Sequence, residues 1–204
     1  GGYIVAGISR STDGDVTGHH GTIDSSDFWI VHLNSIGIIQ WQKSLGGSGK
    51  DEANSIRQTT DGGYIVAGIS RSTDGDVTGS LGGYDYWIVK LDTIGTIQWQ
   101  NSLGGTFGDG AYSIQQTTNG GYIVAGYSRS TDGDVTGHHD TTGFYADYWI
   151  VQLNSVGSIQ WQKSLGGSET DQAFSIQQTT DGGYIAAGIS LSTDGDITGN
   201  NGSF

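Results

Sequence analysis

A block of eighteen residues occurs four times along this chain of 204 residues. The block GGYIVAGISRSTDGDVTG stands unchanged at 1–18 and 62–79, with one change at 120–137 and with three changes at 182–199. Self-similarity at one period is typical of a repeat architecture, in which each unit buries its apolar face against the next. The repeat therefore constrains the fold more than any other feature of the sequence.

The units differ in length at a single place. The tyrosines of successive blocks are 61, 58 and 62 residues apart, whereas the second tryptophan of a unit always precedes the next such tyrosine by 23 residues. All of the variation lies between the DGDVTG turn (DGDITG in the last copy) and the tryptophan that follows it. The physical interpretation is a rigid scaffold with one adjustable loop per unit.

Each unit contains four candidate strands. They are rich in β-branched and aromatic residues and are bounded by Gly, Asp or Asn, and no stretch has a sustained helical period. In the second unit they are Ala53–Thr59, Tyr64–Ser70, Tyr86–Leu91 and Thr96–Leu103. Four strands in about 60 residues predict an all-β fold, a propeller-like array of four-stranded antiparallel blades. A β-solenoid is the alternative, although its repeats are usually shorter.

The run DGGYIVAG…DYWIVKLD…IQWQ…SLGG resembles a broad family of bacterial secreted β-propeller repeat proteins, and more distantly Kelch repeats. The resemblance covers the whole chain. In the Kelch strand order, the array would comprise a partial blade at 1–46, blades at 47–105 and 106–168, and a partial blade at 169–204. This makes about three and a quarter blades. Because open sheet edges invite pairing, we expect further blades from the same chain or a homo-oligomeric assembly.

Composition excludes several classes of partner. The net charge is −13, and the eight Lys and Arg residues are scattered, which disfavours nucleic acid as a partner. The sequence contains no apolar run of about 18 residues, and we therefore expect no membrane insertion. There is no cysteine, and therefore no disulfide, thiolate zinc site or cysteine nucleophile. The acidity is typical of an exported protein, and we expect an extracellular or cell-surface location.

The DGDVTG turn is the best candidate for a chemical role. Calcium loops place oxygen ligands at positions 1, 3 and 5, with glycine at position 6, and here these are Asp, Asp, Thr and Gly. A further aspartate stands at position 12 in the first two copies and at position 9 in the third. The predicted calcium ligands are Asp13, Asp15, Thr17, Asp24, Asp74, Asp76, Thr78, Asp85, Asp132, Asp134, Thr136, Asp140, Asp194 and Asp196. The alternative is a turn that these side chains stabilise by their own hydrogen bonds.

Two adjacent histidines follow this turn in the first and third copies, as His19-His20 and His138-His139. The second copy has Ser80 and Leu81 instead, which excludes a metal role common to all repeats. Adjacent residues of an extended segment also point apart. We therefore interpret these histidines as solvated loop residues.

Aromatic residues divide into a regular and an irregular set. The tryptophans stand at fixed positions in every unit, as blade packing requires, and Trp87, Trp99 and their equivalents are predicted to lie in the core. Phe144 and Tyr145 lie in the longest variable loop and are the candidate ligand-binding residues.

No set of catalytic residues repeats or stands out in the sequence. We therefore expect a non-enzymatic extracellular or cell-surface repeat module: a scaffold, adhesin or fibre component. Its variable loops would be presented to a glycan or protein partner, with calcium as a stabilising ion. The alternative is a fragment of a polysaccharide-active propeller enzyme.

Overall fold

The computed structural model describes residues 1–200, which form an all-β structure without any helix. Within this range no helix is therefore long and apolar enough to cross a membrane. The thirteen strands are β1 (Gly2–Ser9), β2 (Asp27–Asn34), β3 (Ile39–Leu45), β4 (Asp51–Gln58), β5 (Tyr64–Ser70), β6 (Asp85–Leu91), β7 (Ile97–Leu103), β8 (Asp109–Gln116), β9 (Tyr122–Ser128), β10 (Asp147–Leu153), β11 (Ile159–Leu165), β12 (Asp171–Gln178) and β13 (Tyr184–Ser190).

Consecutive strands pair antiparallel into separate sheets. The sheets contain β1–β3, β4–β7, β8–β11 and β12–β13, each in chain order. The predicted array of four-stranded blades is confirmed, and its antiparallel order differs from the parallel coils of a solenoid. The strands predicted in the second unit are within two residues of the observed bounds at every end.

The first strands of the two complete blades, β4 and β8, each carry a β-bulge that reaches toward the next blade. In β4 the pairing with β5 shifts between Ala53 and Ser55, which leaves Asn54 as the extra residue. Its side-chain Nδ2 donates a hydrogen bond to the carbonyl of Ala111 in the next blade, at 2.9 Å. The equivalent bulge residue of β8, Tyr112, packs on Phe174 of β12 with ring centroids 5.3 Å apart. Bulges re-aim side chains in this way.

The sheets pack face to face, so both faces of an internal blade are buried. In β6, Trp87, Val89 and Leu91 pack toward the first blade, as the predicted alternation requires. Tyr86 and Ile88 pack toward the third blade. All seven residues of β6 are buried, and five of them are apolar or aromatic, as in a strand that is covered on both faces.

The second tryptophan of each unit joins its blade to the next one. Each of these rings, which belong to β3, β7 and β11, contacts the tyrosine that begins the second strand of the following blade. The ring-centroid distances are 5.7 Å for Trp41–Tyr64, 5.7 Å for Trp99–Tyr122 and 5.6 Å for Trp161–Tyr184. The predicted core position is confirmed for Trp87 and Trp149, which are fully buried. The second tryptophans Trp41 and Trp99 are partly buried and pack against the core, whereas Trp161 is 38% exposed.

Candidate functional site

The DGDVTG turn of one blade docks on the glycine linker that joins the preceding blade to it. At the junction of the first and second blades, Asp74 Oδ1 accepts a hydrogen bond from the backbone N–H of Ser48 at 2.6 Å. The backbone N–H of Asp76 donates to the carbonyl of Gly46 at 2.8 Å, and Gly46 N–H donates to Asp76 Oδ2 at 3.2 Å. We call this set of three hydrogen bonds the latch.

The latch is repeated at the other two junctions. Asp132 and Asp194 accept from the N–H groups of Thr106 and Ser168, both at 2.8 Å. Asp134 and Asp196 exchange the remaining two hydrogen bonds with Gly104 and Gly166, in the same arrangement. The turn therefore supplies acceptors for linker N–H groups that belong to no strand ladder.

The first turn is different because no linker of the described chain lies against it. Asp13 and Asp15 are exposed, and within residues 1–200 their carboxylates accept no hydrogen bond. This turn has the same sequence as the second copy. It therefore offers an internal control for the contribution of the latch.

The structure places the predicted calcium ligands in separate surroundings. The fifth-position threonines Thr17, Thr78 and Thr136 accept hydrogen bonds from the glutamines Gln42, Gln100 and Gln162. Asp24 is exposed, whereas Asp85 is fully buried at the start of β6. Among the residues that the structure describes, no three His, Cys, Asp or Glu side chains converge to hold a metal ion.

Beneath each latch, two fully buried aspartates from neighbouring blades face each other. We call them the acid pairs: Asp27–Asp51, Asp85–Asp109 and Asp147–Asp171. A linker glycine separates the two carboxylates of each pair. A Cβ atom at Gly104 would lie 2.3 Å from Asp109 Oδ2 and 2.7 Å from Asp85 Oδ1. Only glycine fits at this position.

One aspartate of each pair is held by the linker and by serines. Asp109 Oδ2 accepts from Gly105 N–H and Ser130 Oγ, both at 2.9 Å. The other carboxylate, Asp85, uses only Oδ2, and its buried Oδ1 has no hydrogen-bond donor. The Oδ1 atoms of Asp27, Asp109, Asp147 and Asp171 are likewise without a hydrogen-bond donor, so among the six acid-pair residues only Asp51 has both oxygens hydrogen-bonded. An unpaired buried carboxylate oxygen disfavours the ionised state.

At the middle junction, which joins the second and third blades, this burial determines the direction of the pKa shifts. Burial raises the pKa of Asp109 to about 6, against the hydrogen bonds from its serines and Gly105, and the charge of Asp85 raises it further. Burial also raises the pKa of Asp85 and that of Asp51. Within the described residues, no Lys or Arg forms an ion pair with Asp85 or Asp109. A proton held by Asp109 would therefore reduce the uncompensated negative charge of this pair.

At the outer junctions a histidine contacts both blades. His139 Nδ1 lies 2.7 Å from Asp147 Oδ2, and its Nε2 lies 3.6 Å from Asp196 Oδ2 in the latch. His20 bridges Asp27 and Asp76 in the same way, at 3.1 and 3.8 Å. The hydrogen bond with Asp147 raises the pKa of His139.

The interpretation of these histidines as solvated loop residues is therefore wrong. His19 is also almost fully buried, with 2% of its side chain exposed. At the middle junction Ser80 Oγ and Leu81 N–H take the place of the histidine and donate to Asp85 at 2.9 and 2.8 Å. The sequence signal was the doubled histidine. Asp147 follows His139 by only eight residues, but Asp196 lies in the turn of the next blade, which only the fold brings close.

The longest variable loop is ordered around Asp140. Its carboxylate accepts hydrogen bonds from Phe144 N–H and Tyr145 N–H, each at 2.9 Å, and from Thr142. Burial tends to raise the pKa of Asp140, but these hydrogen bonds lower it to about 2. Asp140 thus holds the loop that carries the two candidate ligand-binding aromatics.

Phe107 is a surface aromatic that was not among the residues predicted from the sequence. It lies in the linker between the second and third blades and is 41% exposed. Its ring lies against Gly143, where a Cβ atom would come within 2.7 Å of two ring carbons. The available signal was a break in symmetry, because the equivalent linker positions hold Gly49 and Glu169.

The chain matches no model of a known protein family, and it matches no characterised protein.

The latch can be tested by comparing identical turns with and without a linker. We expect Asp74→Ala to lower the urea concentration at the midpoint of unfolding, because it leaves the Ser48 N–H without its acceptor. Asp13→Ala, in the turn without a linker, should shift the midpoint much less. Urea unfolding followed by tryptophan fluorescence measures both. Equal losses for the two variants would contradict the latch.

The acid pairs predict a stability that falls as pH rises. The pKa of Asp109 is about 6 in the folded protein against 3.8 as the ordinary value. The folded state therefore binds a proton that the unfolded state has lost, and the contribution disappears between about pH 4 and pH 6. Its size is on the order of 3 kcal/mol. The contribution of His139 to the free energy of unfolding also falls as pH rises, because its stabilising charge is lost when pH passes its raised pKa.

Urea unfolding between pH 4 and pH 8 tests this prediction. Asp109→Asn should flatten the lower part of the profile. His139→Leu, which copies the side chain of Leu81 at the middle junction, should flatten the upper part. Asp24→Asn, which alters an exposed carboxylate, serves as the control. A profile of Asp109→Asn that matches the unmodified chain would refute the assignment to the acid pair.

Proposed function

We propose that this chain is a non-enzymatic repeat module of an extracellular or cell-surface protein of the bacterial propeller-repeat kind. It acts as a scaffold, adhesin or fibre component and presents its variable loops to a glycan or protein partner. The repeat resemblance supports the location, and further blades or further copies would complete the array.

The proposal rests mainly on one contrast: the junctions between blades are alike, whereas the variable loops beside them differ. All three junctions have the same latch and the same acid pair, although the loops beside them differ in length and sequence. The third of these loops presents an aromatic side chain, Phe144, that is 71% exposed. Binding residues commonly lie on loops that a rigid scaffold positions.

The enzyme alternative has less support in the described residues. The buried carboxylates recur at every junction and lie under the latches, where they take part in hydrogen bonds of the scaffold. A catalytic pair would instead face a cleft and break the repeat. The acid pairs are therefore better explained as parts of the junctions.

A loop exchange tests the proposed function. Residues 138–146 are replaced by SLGGY, the equivalent residues 80–84 of the second blade, which fit between the same flanking TG and DYW sequences. We expect the variant to keep its β-sheet circular dichroism and to lose binding to an array of glycans and extracellular proteins. The reverse exchange at 80–84 should increase binding.

Two results would contradict the proposal. One is an array signal that neither exchange changes. The other is turnover of a bound glycan, measured as release of reducing ends, which would favour the enzyme.

Calcium binding by the turns stays a prediction from the sequence. At the three latched turns the first aspartate already accepts a linker N–H group, and the hydrogen-bonded latch alone predicts a melting temperature that EDTA does not change. A bound ion present at 100 times its Kd would add about 2.7 kcal/mol. A melting temperature that falls with EDTA and recovers with CaCl2, but not with MgCl2, would establish calcium.

A further inference from the structure

Three aromatic side chains occur close to Gly143 at the junction of the second and third blades: one in the linker and two in the variable loop of the third blade. Phe144 and Tyr145 are in T-shaped contact, with ring centroids 4.9 Å apart. Phe107, from the linker, lies against Gly143 of the same loop. We call Phe107, Phe144 and Tyr145 the aromatic platform. Exposed aromatic groups of this kind mark interaction sites on soluble proteins.

The backbone on both sides of the platform is fixed before any ligand arrives. Phe107 N–H donates to Ser130 Oγ at 3.1 Å, and Ser130 in turn donates to the buried Asp109. Asp140 holds the N–H groups of Phe144 and Tyr145. Gly143 has a φ of 73°, and a side chain there would also collide with Phe107. Such preorganisation lowers the entropic cost of binding.

Among residues 1–200 the platform occurs at one junction, although the scaffold around it is repeated. The linker positions equivalent to Phe107 are Gly49 and Glu169, and the variable loops of the first two units contain no adjacent aromatic pair like Phe144 and Tyr145. Blade packing does not account for rings that only one junction has. A ligand that binds at this one place accounts for them.

The charge around the platform selects against anionic ligands. Two acidic side chains hold the backbone beside the platform: Asp140 in the loop, and Asp132, which accepts from the Thr106 N–H next to Phe107. The whole chain has a net charge of −13. Uronic acids, sulfated sugars and phosphates would therefore be repelled.

The size and chemistry of the platform fit a sugar better than a protein. An aromatic side chain offers roughly 150–250 Å², and only part of each ring is exposed. A stable protein interface buries about 800 Å² per partner. The C–H groups on the face of a pyranose ring are weakly positive and complement the negative face of an aromatic ring.

We propose that the aromatic platform of Phe107, Phe144 and Tyr145 is a binding site for a neutral, pyranose-containing glycan. The proposal rests on the proposed function and specifies its ligand class and site. Phe144 stacks on the sugar face, Phe107 extends the surface across the junction, and Asp140 holds the loop without contacting the ligand.

Binding to immobilised polysaccharides tests the proposal on the intact chain. The neutral probes are β-glucan, mannan, galactan and chitin oligomers, and the anionic ones are polygalacturonate and heparin. We expect binding to at least one neutral probe and none to the anionic ones. Phe144→Ala should weaken the binding at least fivefold, and Phe107→Glu, which introduces the residue of the third junction, should weaken it further.

Ile94→Ala is the control, because it removes a 65%-exposed apolar side chain from a hairpin outside the platform. It should leave binding unchanged, and thermal unfolding should show that all three variants are folded. Neutral-glycan binding that survives both aromatic substitutions would overturn the site. Binding to proteins but to no glycan, or equal binding to heparin, would overturn the ligand class.

The outcome is separable from that of the loop exchange. If the exchange abolishes binding and the two aromatic substitutions do not, the platform is wrong but the loop-presenting function stands. If neither intervention changes binding, both proposals fail.

Discussion

The capture of linker N–H groups by the aspartates of the next blade's turn is the interaction on which the rest of this structure depends. Each linker must leave one sheet and enter the next, so its backbone groups lose the partners that a strand ladder provides. Asp74 and Asp76 supply those partners at the first internal junction. Once the linker is held, the tryptophan of one blade meets the tyrosine of the next, and the sheets bury both faces. The same arrangement fixes where each variable loop begins, so loops can change in length without disturbing the junction.

The latch lies above a buried acid pair, which gives the junctions an unusual electrostatic character. Most acidic proteins lose stability on acidification, because paired carboxylates become protonated. Here Asp109 is held in surroundings that favour its neutral form, while His20 and His139 at the outer junctions face Asp27 and Asp147, the equivalents of its pair partner Asp85. Protonation of these groups therefore stabilises the junctions in mildly acidic solution. The glycine between the two carboxylates of each pair leaves room for this close approach, which explains part of the high glycine content.

Much of the fold could be predicted from the sequence because strand period, turn residues and repeat spacing are local signals. The strands of the second unit, the blade architecture and the packing role of Trp99 are examples.

The latch could not be predicted, because Asp74 binds the backbone of Ser48, and a backbone N–H has no sequence signature. The turn was recognised as chemically important, but its partner was not. The histidines were misread for a related reason: His139 meets Asp196 of the next blade only after the two blades have docked. Phe107 was missed because it lies in a linker far in sequence from the variable loop, and only the fold brings it to Gly143.

The most direct test of this account is amide hydrogen exchange in the linkers, measured by NMR with and without EDTA. Ser48, Thr106 and Ser168 are exposed residues, yet each donates its backbone N–H to a turn aspartate. The account predicts that these three amides exchange slowly, that EDTA does not change their rates, and that Asp74→Ala accelerates Ser48 alone among them. Exchange at the rate of an open loop in the unmodified protein would contradict the latch.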